Sequence, residues 1–364
     1  MFNFNVNRAL LRLQFNASKR LQFYEWIGVL YDNNIKLSDA LLKIASIAED
    51  KHSDEVLSTR AKSAMGLIAQ DIYASYTNGK SFSESLRPWV SYEEAAIIGA
   101  GEKSGRISES CVKAIEAIGT KNLLLRAAVG AGAYPIFLAV NMWFLFRLIA
   151  HKLVPSFSKL VPTSQWEGNA KTMHLMALLV TDYAPLVALV LIGLGVLVVW
   201  SLPNYSGAFR VRVLERLPPW NIYKMIHGVS FLINVAILQS AGMKQKDIMD
   251  VLAKGASPWL RQRIEATKYG IAIGKNLGDA LVESGYQFPD KVSIRFLSVL
   301  SDKSGAEKSV EDFAKRWRDQ SVRRVELAGK VFFWCSMALV VMVLLAVIDG
   351  SDSIVTSVQS KYGR

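Results

Sequence analysis

Cysteine is nearly missing from this chain, with two among 364 residues, and histidine occurs only four times. Two thiols allow at most one disulfide. Cys111 falls in a helical stretch and Cys335 inside a long apolar run, so no bridge is expected and both read as packing residues. His52, His151, His174 and His227 stand far apart, in no metal-ligand spacing. Local context suggests no Ser/His/Asp or Cys/His set. No catalytic residue, cofactor or metal is therefore expected, and the chain does not read as an enzyme.

Charge is absent over three long runs. Tyr183–Phe209, bounded by Asp182 and Arg210, contains no Asp, Glu, Lys or Arg. Ala127–Phe146 lies likewise between Arg126 and Arg147, and Val331–Ile348 between Lys330 and Asp349. A bilayer core takes about 20 apolar residues of helix, so each run is long enough to cross one. A soluble reading would have to explain 51% hydrophobic residues together with a net charge of +12, whereas the membrane reading accounts for both, and no nucleic-acid partner is expected. Met1–Phe15 alternates apolar residues with Asn and Arg, so no cleavable signal peptide is expected and the first run acts as the address.

The expected class is all-α, a polytopic membrane protein with two homologous cytoplasmic helical bundles and three transmembrane helices. The first helical domain covers 1–126, a transmembrane helix 127–149 and a periplasmic connection 150–182. A second transmembrane helix covers 183–202, the second helical domain 203–330, the last span 331–349 and a periplasmic tail 350–364. Orientation follows the flanking cations. One side carries Lys113, Lys121, Arg126, Arg210, Arg212, Arg216, Lys315, Arg316, Arg318, Arg323, Arg324 and Lys330, against Lys152, Lys159, Lys171, Lys361 and Arg364 on the other. The N-terminus is thus expected in the cytoplasm and the C-terminus in the periplasm. Residues 1–30 read as a basic amphipathic helix, either packed into the first domain or lying on anionic lipid or a partner.

Helix breaks recur in order. Leu30–Leu41, with Asn33-Asn34, is matched by Leu238–Met249, with Ala241-Gly242; Gly79–Leu86 is matched by Gly274–Leu281; Gly101-Glu102-Lys103-Ser104-Gly105 is matched by Ser301-Asp302-Lys303-Ser304-Gly305. Three matched breaks in one order indicate a duplication. These breaks, the Tyr134-Pro135 pair in the first span and the layout of domain, two spans, domain and span resemble the type II secretion system F family. The second repeat departs from that family in Ser301-Asp302, where Gly-Glu is usual, and the last span has no Tyr-Pro. The short N-terminal segment looks more like the platform proteins of bundle-forming or conjugative thin pili.

The resemblance implies an inner-membrane platform for a type IV pilus or a type II secretion pseudopilus, coupling a cytoplasmic assembly ATPase to pilin insertion. Implied partners are that ATPase, a pilin or pseudopilin, other inner-membrane pilus assembly proteins and further copies of the chain. The rival reading is a subunit of a membrane transporter or channel. Against it, the three runs hold no internal carboxylate or Lys, which polar pathways usually carry.

Ala74–Ser81 fits a loose phosphate-binding loop, but such a loop follows a buried strand and Met65–Tyr76 reads as helix. Helix capping by Ser81 or Ser83 explains it better. The candidate positions are Glu102, Gly105, Asp302 and Gly305, where an acid either braces a helix hairpin through free amides or meets a partner. Gly130, Gly132, Pro135, Gly193 and Gly195 are the candidate packing positions of the spans, serving either intramolecular packing or contact with another subunit or a pilin helix.

Overall fold

A computed structural model describes residues 2–50, 64–166, 168–301 and 306–362, and all regular elements among them are helical. In chain order these are α1 (Phe2–Gln14), α2 (Ala17–Asp32), α3 (Leu37–Asp50), α4 (Ala64–Thr77), α5 (Phe82–Leu86), α6 (Tyr92–Lys103) and α7 (Ile107–Leu148). A π-helical turn, Ile149–Leu153, leads to α8 (Val154–Ser158), α9 (Gly168–Val180), α10 (Ala184–Asn204) and α11 (Ala208–Arg212). Then follow α12 (Trp220–Ser240), α13 (Gln245–Lys254), α14 (Pro258–Ala272), α15 (Leu277–Glu283), α16 (Lys291–Ser301) and α17 (Ala306–Tyr362).

The order α2–α7 recurs as α12–α17, with the short α5 matched by the short α15. Matched breaks share a backbone conformation. Asn34 and Gly242 sit at φ +59° and +84°, and Gly79 and Gly274 at +87° and +88°. The left-handed region ends a helix at little cost only for Gly or Asn, so the residue choice follows from the turn.

The chain divides into two compact units, Met1–Leu125 with Pro203–Ser321, and Arg126–Leu202 with Val322–Arg364. In the first unit the two helix sets, which the sequence suggested as separate bundles, share one body. Helix α6 packs on α12 and α13, Lys113 donates to the Ser240 hydroxyl at 2.9 Å, and Lys315 pairs with Glu116 at 3.5 Å. The reason is α12. From Val229 to Leu238 it is buried on all sides apart from Ser230, and a helix apolar all round needs neighbours on every face.

Among the described residues, four helical stretches are long and apolar enough to cross a membrane: 107–158, 184–204, 220–240 and 309–356. Helix α12 is the exception among them, with 61% of its apolar window buried inside the structure against 6%, 6% and 11% for the rest. The other three leave large apolar side chains on their surface, among them Val129, Leu189 and Trp334. Such a surface suits lipid rather than water.

In the second unit, residues 150–182 are more than a connection. Val161, Trp166, Ala170 and Met173 bury a small core with Ile149 and with Ile354 of α17, and the Trp166 indole donates to the Val161 carbonyl at 2.9 Å. The expected tail after 349 continues as helix to Tyr362, held by Ile354 and by an Asn169–Asp349 hydrogen bond.

Candidate functional site

The repeated acids come first. Helix α5 has only five residues, and like any helix it cannot satisfy its own first-turn amides. Ser81 accepts from the Glu84 amide while Glu84 accepts from the Ser81 amide, a capping box. The amides of Phe82 and Ser83 donate to the two carboxylate oxygens of Glu102, at 2.6 and 3.1 Å. Gly105 closes α6 at φ +71°, and the Arg106 amide returns to the Gly101 carbonyl at 2.8 Å. Glu102 thus ties the end of α6 to the start of α5. Asp302 and Gly305 lie outside the described residues. At the second set's equivalent of α5, Asn276 caps α15 and Asp279 accepts from Ser298 of α16.

A larger charged assembly escaped the sequence reading. Arg210, counted there among the flanking cations, is fully buried, as is Arg263. Glu215 accepts from the Trp259 indole at 3.0 Å and from Arg263, and it forms ion pairs with the Lys224 ammonium at 2.9 Å and the Arg210 Nε at 3.9 Å. The two guanidinium carbons lie 4.8 and 4.1 Å from the Trp259 ring. Burial, followed by mutual repulsion, brings Arg210 down to about 10, and burial also lowers Arg263 despite Glu215. The knot locks the segment that follows the second apolar run to α12 and α14. Only Trp259 and Arg263, four apart on one helix, hinted at it.

The candidate packing glycines lie in the membrane-type unit. Among the described residues, no heavy atom beyond the local helix backbone stands within 4 Å of where a Cβ would lie on Gly130, Gly132, Gly193 or Gly195. Pro135 lies within α7, where a proline is tolerated if its freed carbonyl finds another partner. The close helix approach is at Gly329 of α17, where a Cβ would stand 2.7 Å from that of Ala131. Residues 130 and 132 point about 100° to either side of 131, so a small-residue stripe meets a neighbouring helix along one line only.

This unit also contains a cleft of about 420 Å³ walled by α7, α10 and α17, with Met142, Trp143, Val187, Leu191, Leu339 and Val340 on its sides. Ser336 is the one polar side chain in its wall, and it already donates to the Phe332 carbonyl at 2.8 Å. An apolar cleft of this kind holds a hydrocarbon surface and offers ions nothing.

Residues 231–348, from within α12 to within α17, match the family described as type II secretion system (T2SS), protein F. The chain is also 23% identical over 269 residues to the toxin coregulated pilus biosynthesis protein E of Vibrio cholerae serotype O1, covering 72% of this chain and 75% of that protein. Residues 231–348 are thus similar to the type II secretion system F family, the same family that the repeated breaks resemble.

Proposed function

We propose that the chain is an inner-membrane platform protein for assembly of a type IV pilus or a type II secretion pseudopilus, with no chemistry of its own. It takes up the motion of a cytoplasmic assembly ATPase through its charged helical unit and passes that motion to a pilin held at its membrane helices. The apolar cleft among α7, α10 and α17 carries this reading, because its wall suits the apolar segment of another membrane protein. Support also comes from α7 and α17, which run unbroken from charged sequence into apolar runs, since packed helices move as bodies.

A photo-crosslinking residue at Leu191 or Val340 is expected to capture a pilin's apolar segment in cells that assemble the fibre, whereas the same residue at Leu189, outside the cleft wall, is not. Equal capture at both positions, or none, would remove the cleft from the pilin path. Three spans, with the N-terminus in the cytoplasm, predict that reporters after Lys121 and within 255–290 face the cytoplasm and one near Ser164 faces the periplasm. Co-purification of the intact chain with the assembly ATPase tests the coupling.

A further inference from the structure

The first unit contains a half-open cavity of about 260 Å³ that none of these roles uses. Its wall draws on both helix sets, with Arg12 of α1, Arg20 of α2, Lys121 of α7 and Asn234 of α12 among its residues. Asn234 stands out. It is 4% exposed and lies in the most apolar part of α12, and its side chain makes no hydrogen bond among the described residues. A buried amide without a partner is costly, so whatever fills the cavity has to offer it a donor or an acceptor.

The charges give the occupant's sign. Arg20 is engaged by Glu94 at 3.2 Å. Arg12 and Lys121 are exposed and form no ion pair among the described residues, and Glu93 is the carboxylate of the wall that is likewise unpaired. The unpaired charge at the mouth is therefore net positive. Position narrows the chemistry further. Leu125 belongs to the wall and the uncharged run begins at Ala127, so Lys121 lies about 9 Å along the helix from apolar sequence. Helix α1 exposes Leu10 and Leu13, the latter 77%, beside Arg12, an arrangement suited to a membrane interface.

We propose that this cavity is a binding site for a phosphate ester of a small polyol, as presented by the phosphoglycerol headgroup of an anionic lipid, with the phosphate between Arg12 and Lys121 and a hydroxyl on the Asn234 amide. A soluble glycerol phosphate shares that chemistry. The inference requires only that the chain be embedded in a membrane, so its failure leaves the pilus reading standing.

Full-length protein in a neutral detergent is titrated with short-chain phosphatidylglycerol, phosphatidylcholine of the same chain length, and glycerol 3-phosphate, following heat of binding and the unfolding midpoint. Asn234→Leu keeps the volume and suits the apolar helix; Lys121→Gln changes only the exposed mouth and serves if the first variant folds poorly. Saturable binding of phosphatidylglycerol but not phosphatidylcholine, weakened about tenfold by either substitution, is the expected result. Glycerol phosphate binding with the same dependence, in place of the lipid, would confirm the site and assign it to a soluble ester. The proposal fails if neither ester saturates, as for a cavity that holds only water. It fails equally if both lipids bind alike or if the variants bind as the parent does.

Discussion

Glu102 is placed where its charge meets two amides that have no other partner, so its contribution is that of a charge-assisted cap. Glu102→Gln is expected to lower stability by about 1 kcal/mol, read from thermal unfolding of the full chain in detergent. Unchanged melting with a lost ATPase complex would instead make Glu102 a partner contact. Glu215 is a different case, because Arg263 and Arg210 stay buried when it is removed. Glu215→Ala is expected to cost about 3–5 kcal/mol, far above an exposed pair. His227 packs against Tyr223 at 4.2 Å, and burial, with lesser help from Lys121 and Arg210, brings its pKa down to about 4. A histidine depressed below its unfolded value of about 6.5 stabilises fully above that value and loses the contribution as pH falls towards 4. Stability should therefore drop across that window by on the order of 3 kcal/mol, and His227→Gln should flatten the slope. Glu94, raised by burial, acts in the opposite sense in both proteins and cancels from the difference. The amides that Glu102 holds lie 19 and 20 residues before it, at a break the sequence marks. The Glu215 knot was not legible there, since Arg263 is 48 residues away and nothing local marks either end.

Among the elements, α12 separates hydropathy from location. Its length and composition would allow a span, yet its apolar side chains are covered by protein. Cysteines introduced at Leu232 and Val235 should resist both aqueous and lipid-phase reagents in the folded protein, whereas one at Trp334, 68% exposed, should react from the lipid phase. Lipid-phase labelling at Leu232 would restore α12 as a fourth span. Helix α17 comes close to α7 at Gly329 and Ala131. Gly329→Leu is expected to cost about 1–3 kcal/mol by forcing the helices apart at Ala131, whereas Gly193→Ala, which meets open space, should melt as the parent does.

On the scale of the whole molecule, the two halves of the first unit depend on one another. Residues 203–321 produced alone would leave uncovered the part of α12 that α6 normally packs. Size-exclusion chromatography of that fragment should show self-association, relieved by co-expression with residues 1–125. A monodisperse monomer with native melting would mean that each half carries a sufficient core of its own.

The sequence by itself determined the all-helical class, the three uncharged runs and the order of the breaks. Each of these is a local property, set by the absence of charge over a bilayer's thickness or by a left-handed turn that Gly or Asn accepts. Tertiary structure alone decided that the two helix sets share one unit, that Arg210 is buried, that Ala131 meets Gly329 while the flanking glycines face open space, and that Asn234 opens on a cavity. These depend on which faces meet across long sequence separations. Helical periodicity states that a face is apolar or small, but what covers it is chosen by packing among all the helices at once.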